Sequence, residues 1–311
     1  MSTDTSDITG GRASTTRSAR EQFYRGLFVA CGVLSIATTL AIILTLTGDA
    51  LSFFSDVSIL DFLFGTNWSP QIAGEYGVLP LVAGTVMVTI GAGIVALPLG
   101  VLTAIYVSEY ASESVRSWLK PTLEILAGVP TVVYGLFALV YVTPALSSLF
   151  PMIETFNVLS ASLVVGIMII PYVASLSEDA MSAVPDSLRE ASYGLGATKF
   201  EVSTTVVVPA AISGIASSFI LALSRAIGET MIVTIAAGSS AQLALPFEPG
   251  AWLQSMETMT AAMVNIGKSD VDPGSLTYLS LFAIGLTLFA ITFAMNVVSN
   301  VIAARYREEY E

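Results

Sequence analysis

Arg225 and Glu229 stand one helical turn apart in Ser224-Arg225-Ala226-Ile227-Gly228-Glu229-Thr230, inside a stretch that is otherwise apolar. An arginine at the centre of a membrane helix costs about 2.5 to 3.5 kcal/mol on insertion scales, so a charge kept there faces a cavity or a partner by default. Its guanidinium is a planar fork of N–H donors suited to an oxyanion. Glu229 either holds that fork in place or accepts a hydrogen bond from a protonated oxygen of the anion. The second role favours an anion that carries its own proton over a fully deprotonated one such as sulfate. Ser224 and Thr230 offer hydroxyls and Gly228 offers close approach, roles that compete with plain helix packing by small residues. A structural reading also stands, because i,i+4 spacing lets Arg225 and Glu229 neutralise each other on one face.

A second polar run, Glu124-Ile-Leu-Ala-Gly128-Val-Pro130-Thr-Val-Val-Tyr134-Gly135, carries a proline and two glycines. That punctuation predicts a broken or kinked helix lining a pathway, with an ordinary interfacial kink as the alternative. Pro98 and Pro171 read the same way. The Tyr134 hydroxyl reaches either a permeating anion or a neighbouring helix. The chain has no histidine and one cysteine, Cys31, so neither a catalytic nucleophile nor a metal set can be assembled. The expectation is a transport subunit, without bound metal, nucleic acid or cofactor of its own, rather than an enzyme.

The elements that must position these groups are membrane helices. Of 311 residues, 54% are hydrophobic and 12% charged, a balance outside the range of soluble domains. Six apolar stretches are long enough to cross lipid: Leu27 to Thr47, Val78 to Val107, Leu123 to Thr143, Val158 to Ser177, Ala210 to Ala237 and Leu276 to Ala304. The fold class is all-α and polytopic. Residues 1–22 read as a disordered tail, 23–77 as the first span and an outer loop, 78–304 as the transmembrane domain, and 305–311 as a second tail. No apolar core suited to a cleaved leader precedes the first span, which is therefore expected to be retained. Ten lysines and arginines fall on one side of the six spans and only Lys268 on the other, placing both termini in the cytoplasm of a plasma-membrane protein. The net charge of −12 has two readings, an ordinary solvated surface or adaptation to high salt.

Between the fourth and fifth spans lies a polar segment with Glu190, Ala191, Ser192, Gly196 and Pro209. An amphipathic helix headed by a carboxylate, a glycine admitting a close neighbour and a proline opening the next span suit docking onto another protein. On the opposite side, the loop Gly48 to Gly77 holds too many aromatic groups for a free linker and is expected to fold against the membrane surface or a partner. Ala262 to Ser269 ends like a phosphate-binding P-loop, yet it lacks the first glycine and the strand context. Nothing else in the chain offers that motif for a nucleoside triphosphate.

The spacing of Glu190, Ala191, Ser192, Gly196 and Pro209 resembles the EAA loop of ABC-importer permeases. Ala127 to Gly135, Ala183 to Ala191 and Ser224 to Met231, with Phe62 to Trp68 and Gly77 to Leu81, resemble together the PstC family of phosphate permeases over about Asp61 to Ala304. That resemblance implies a six-helix MetI-like permease forming half of an anion pathway. It would pair with a PstA-like permease, sit on a PstB-like ATPase dimer that binds the ATP, and receive phosphate from a PstS-like binding protein. It maps the family's intramembrane charges onto Arg225 and Glu229, with docking at about 186–209. Ser192 departs from the usual second alanine. Other readings are a sulfate, molybdate or tungstate permease, or an ATPase-independent secondary transporter, for which inverted repeats are expected and none is seen.

Overall fold

Inside hydrocarbon a backbone N–H or C=O has no water to bond, so long apolar runs become helices that satisfy themselves. The computed structural model describes residues 13–305, and these are mostly helical. In chain order the elements are α1 (Ala13–Asp56), α2 (Ile59–Phe64), β1 (Trp68–Ser69), β2 (Glu75–Tyr76), α3 (Leu79–Ile105), α4 (Glu113–Gly128), α5 (Thr131–Phe137), α6 (Thr143–Ser147) and α7 (Val158–Ser182). Then come α8 (Asp186–Gly194), α9 (Lys199–Glu201), α10 (Val208–Ala210), α11 (Ile212–Ile227), α12 (Met231–Ala236), α13 (Met259–Lys268) and α14 (Leu276–Arg305). Tyr106–Tyr110, Ala138–Val142 and Val202–Val207 are π-helical.

Among the described residues, four helices are individually long and apolar enough to cross a membrane: Arg20–Asp56, Leu79–Tyr110, Val158–Ser182 and Leu276–Ser299. Counting each of two bent pairs as one crossing brings the number to six. Where Leu123 to Thr143 predicts one span, the chain makes α4 and the run Thr131–Ser147, bent by 85°. Pro130 lacks an N–H and drives the residue before it out of the helical region, and Val129 is extended, with ψ 130°. Where Ala210 to Ala237 predicts another, Lys199–Ala210 bends by 69° into α11, and a second break at Gly228 to Thr230 separates α11 from α12. Pro98 and Pro171, by contrast, lie inside the continuous helices α3 and α7.

Residues to Asp49 and residues from Ala50 onward form two compact units. In the first, α1 exposes Phe28, Leu34, Ile36 and Leu40, the surface of a helix meant for lipid. Ala13 to Gln22, expected to be disordered, extend this helix, since elongating an existing helix costs far less than nucleating one. Residues 1–12 of that tail, and 306–311 of the C-terminal one, lie outside the described residues.

In the second unit α3 and α7 pack along their length. A Cβ added at Gly100 would lie 2.5 Å from the Cβ of Val173, an approach only glycine permits. Met87, Ala92, Val165, Met168, Ile232 and Ala236 are among the buried side chains of the central core around this pair. At the other end Phe53, Phe62 and Trp68 are buried with Met259, Ile266 and Ile284. The rings of Phe53 and Phe62 meet edge to face at 5.5 Å, and Trp68 pairs with Tyr76 across the β1–β2 hairpin. Phe53, Phe62 and Trp68 of the aromatic loop thus pack on their own chain, while Leu60 and Phe64 remain exposed on it. Ala262 to Lys268 form most of α13, capped by Thr258; ladder-bonded N–H groups there cannot cradle a phosphate.

Candidate functional site

The break at Gly228 brings two helix ends together around Arg225 and Glu229. Arg225 occupies the last turn of α11, where a cation complements the helix dipole. The Glu229 carboxylate, 2% exposed, works in two directions. Its Oε1 accepts from the backbone N–H groups of Met231 at 3.0 Å and Ile232 at 3.2 Å, capping α12. Its Oε2 accepts from Nη1 of Arg225 at 3.0 Å. A carboxylate offers about four lone-pair sites, and three are taken, so the arrangement favours the holding role over acceptance from a bound anion. The guanidinium, 38% exposed, makes no other hydrogen bond among the described residues. It is a steadied fork with its remaining donors open.

The other pathway candidates fall around this break. Thr230 Oγ1 donates to the Gly228 carbonyl at 3.2 Å, and Ser224 Oγ is buried without a hydrogen-bond partner among the described residues. Tyr134 lies on another element, and its hydroxyl donates to the Leu126 carbonyl at 2.9 Å, tying α5 back to α4 across the bend. One contributor is not apparent from sequence: Thr260 of α13 donates to the Glu229 carbonyl at 2.7 Å and holds the break from outside.

A second charged group escapes a reading of the sequence altogether. Glu178 of α7, 2% exposed, pairs with Arg116 and, at 2.5 Å, with Lys120, both from α4. Ser182 donates to it at 3.0 Å. The two cations count in the sequence only as loop charges, and Glu178 falls one residue beyond the expected end of its span at Ser177. A cavity of about 440 Å³ opens beside it, lined by Lys120, Glu124, Pro171, Glu178 and Leu221 among others. Removing either cation leaves a buried carboxylate short of compensation.

The polar segment forms α8, with Glu190 and Ala191 exposed and Ser192 half-buried. Gly196 has φ +89°, and no atom of the chain lies within 4 Å of where its Cβ would be. Its N–H donates to the Tyr193 carbonyl, and that of Ala197 to Ser192, which together end α8 in a Schellman turn. Within this chain Gly196 therefore serves a left-handed backbone and not a close approach. Pro209 is exposed in α10, just ahead of the bend into α11. Thr198 and Glu201 form a capping box at the start of α9.

Four helices and two bent pairs able to cross a membrane, a polar helical insert before the fifth crossing and a held arginine within it define a multi-pass membrane permease. The family described as "Binding-protein-dependent transport system inner membrane component" matches residues 96–308, and this chain belongs to it. It is an ABC transporter permease subunit of MetI-like, all-α fold, as the sequence leads one to expect. A Bacillus subtilis protein named "Probable ABC transporter permease protein YqgH" is 33% identical over 285 residues, 90% of each chain. A Mesorhizobium japonicum protein named "Phosphate transport system permease protein PstC" is 31% identical over 93% of this chain and 94% of its own. Among solved structures, a chain of a bacterial alginate ABC transporter, in complex with a periplasmic protein carrying an alginate pentasaccharide, aligns with TM-score 0.61. It covers 92% of this chain and 96% of its own at 13% identity, a likeness of fold alone.

Proposed function

We propose that this chain is one of two permease subunits of an ATP-driven phosphate importer and forms half of its transmembrane anion pathway. The carrying observation is the Arg225 fork, held at one corner by Glu229 and otherwise unbonded among the described residues, in a chain 31% identical to a protein named for phosphate transport. An incoming tetrahedral oxyanion finds paired N–H donors there, and fixing the fork in advance reduces the ordering cost of binding. Ser224 and Thr230 add hydroxyls beside it, while Tyr134 supports the bend in the third crossing. The ten-to-one distribution of basic residues sets both termini and α8 on the cytoplasmic side of the plasma membrane. There Glu190, Ala191, Ser192, Gly196 and Pro209 present the docking surface for a PstB-like ATPase dimer, which binds the ATP. A PstA-like permease completes the pathway, and a PstS-like protein delivers the anion from outside. This subunit needs no catalytic group or cofactor of its own.

A second substrate reading has a specific basis. With three of its lone-pair sites engaged, Glu229 discriminates less by the proton on the anion, which keeps sulfate and related oxyanions in play. ATP-dependent uptake into proteoliposomes reconstituted with this chain and its three partners separates the two. Phosphate uptake that excess sulfate does not compete, and that Arg225→Gln abolishes in a fully assembled complex, is the expected result. Sulfate uptake in preference to phosphate would replace the substrate, and substantial uptake by Arg225→Gln would make that residue structural.

A further inference from the structure

Arg189 stands beside Glu190 in the sequence of α8, yet its side chain points inward and is only 15% exposed. Nη1 donates to the Val184 carbonyl at 2.6 Å and to Asp186 at 3.2 Å. Nη2 donates to the Met181 carbonyl at 2.8 Å and to Oε1 of Glu109 at 3.1 Å. Met181 and Val184 lie at the C-terminal end of α7, where carbonyls run out of helical partners and a cation is favoured. Glu109 is 5% exposed and lies in the π-helical turn that follows α3, with Ser108 donating to it at 3.0 Å. That turn holds more residues than an α-turn; one inserted residue rotates the chain beyond it by about 100° about the axis, which fixes the direction of Glu109. One guanidinium thus bonds α8 to the ends of both α3 and α7.

Little else does. α8 has nine residues and none is fully buried; Leu188 alone of them packs, half-covered, on the apolar cluster of Ala104, Met181, Val202 and Ile215. A buried ion pair adds little net stability over apolar packing, so what it supplies is a fixed geometry. From α3 and α7 the contacts continue. Gly100 lets the two helices touch at Val173, and the Ser177 and Ser218 hydroxyls bond at 2.8 Å between α7 and α11, the helix that carries Arg225.

We propose that Arg189 and Glu109 are positioning residues whose bond transmits displacement of α8 to the α3/α7 pair, and through it to α11. This rests on α8 being the ATPase-docking helix. The pair needs no contact with the ATPase or the anion.

The test measures phosphate uptake and ATP hydrolysis in the same proteoliposomes, together with co-purification of the ATPase. Wild type, Arg189→Gln, Glu109→Gln, the double variant and Arg189→Lys are compared at equal membrane insertion. Each Gln variant should retain the ATPase and move between about 2- and 30-fold less phosphate per ATP, the span expected for residues along a coupling route. The double variant should be no worse than the worse single one, and Arg189→Lys should recover part of the ratio. Full coupling in the near-isosteric Glu109→Gln, or losses that multiply in the double variant, would overturn the link. Loss of the ATPase from Arg189→Gln alone would make the residue part of docking, overturning transmission. Failure of the ATPase to bind the wild type would instead reject the docking reading on which the inference stands.

Discussion

Replacing Glu229 by glutamine changes one atom and forces a choice. The carboxylate now serves Arg225 with Oε2 and the first turn of α12 with Oε1. A glutamine amide has one acceptor oxygen. If that oxygen stays with Met231 and Ile232, the NH₂ group faces Nη1 of Arg225, donor against donor. If it turns to Arg225, two N–H groups at the start of α12 lose their cap. Losing the cap costs about 1 kcal/mol. Losing a charged hydrogen bond costs about 1.5 to 3 kcal/mol, toward the low end here because the guanidinium is 38% exposed and water replaces part of the interaction. The held geometry is therefore weakened by about 1 to 2 kcal/mol whichever way the amide turns, or roughly 5- to 30-fold in the population with a fixed fork. ATP-dependent uptake by Glu229→Gln should fall by up to that factor, mainly as a higher half-saturating phosphate concentration at the inner site. The fractional loss should be constant across the pH range in which phosphate exchanges its second proton, because Glu229 acts on Arg225 and not on the anion's proton. Wild-type uptake, or a loss that appears only where the anion is protonated, would refute the holding role.

Glu190→Lys should leave insertion intact and abolish ATP-coupled uptake; normal uptake would reject the docking surface. Gly100→Ala brings a Cβ to 2.5 Å from that of Val173, against about 3.5 to 4.0 Å for comfortable carbon contact, so overpacking should cost about 1 to 3 kcal/mol and lower the unfolding midpoint in detergent. Gly128→Ala, with nothing within 4 Å of the new atom, should leave that midpoint unchanged or raised. Burial raises the carboxyl of Glu257, in the connection before α13, above the usual range, with the hydrogen bond from Asn265 opposing the shift. Its folded form then binds a proton more readily than its unfolded form, so its stabilising contribution is present in acid and is lost as pH rises through the raised value. Glu257→Gln should exceed wild type in thermal stability at neutral pH, and the gap should close on acidification.

The crossings were legible because apolar length is a one-dimensional property, and Pro130 announced its break through the same local chemistry. The Arg225 and Glu229 pair was legible because both partners lie within one turn. Gly228 gave little warning of a second break, since glycine without proline is common in membrane helices. The Glu178 cluster was invisible because Arg116 reaches it across 62 positions, and the Thr260 support for Glu229 crosses 31. The division of the aromatic loop, with Phe53, Phe62 and Trp68 buried and Leu60 and Phe64 exposed, was not legible for a different reason. Rings that pack on α13 and α14 have the same composition as rings that anchor in a membrane interface.

The two broken crossings also bear on how the chain is made. The continuous run Thr131–Ser147 extends roughly 25 Å, whereas α12, with six residues, extends about 9 Å, a third of the hydrocarbon thickness. α4 carries Arg116 and Lys120, whose acidic partner Glu178 belongs to a helix that emerges later from the ribosome. Both cations, about two-fifths exposed, are therefore already made when the carboxylate that must be buried against them appears. The reverse order would bring Glu178 into the packed layer as a buried charge without a partner, the costly state. Chain order thus spares the carboxylate, and not the cations, an unpaired stage in assembly.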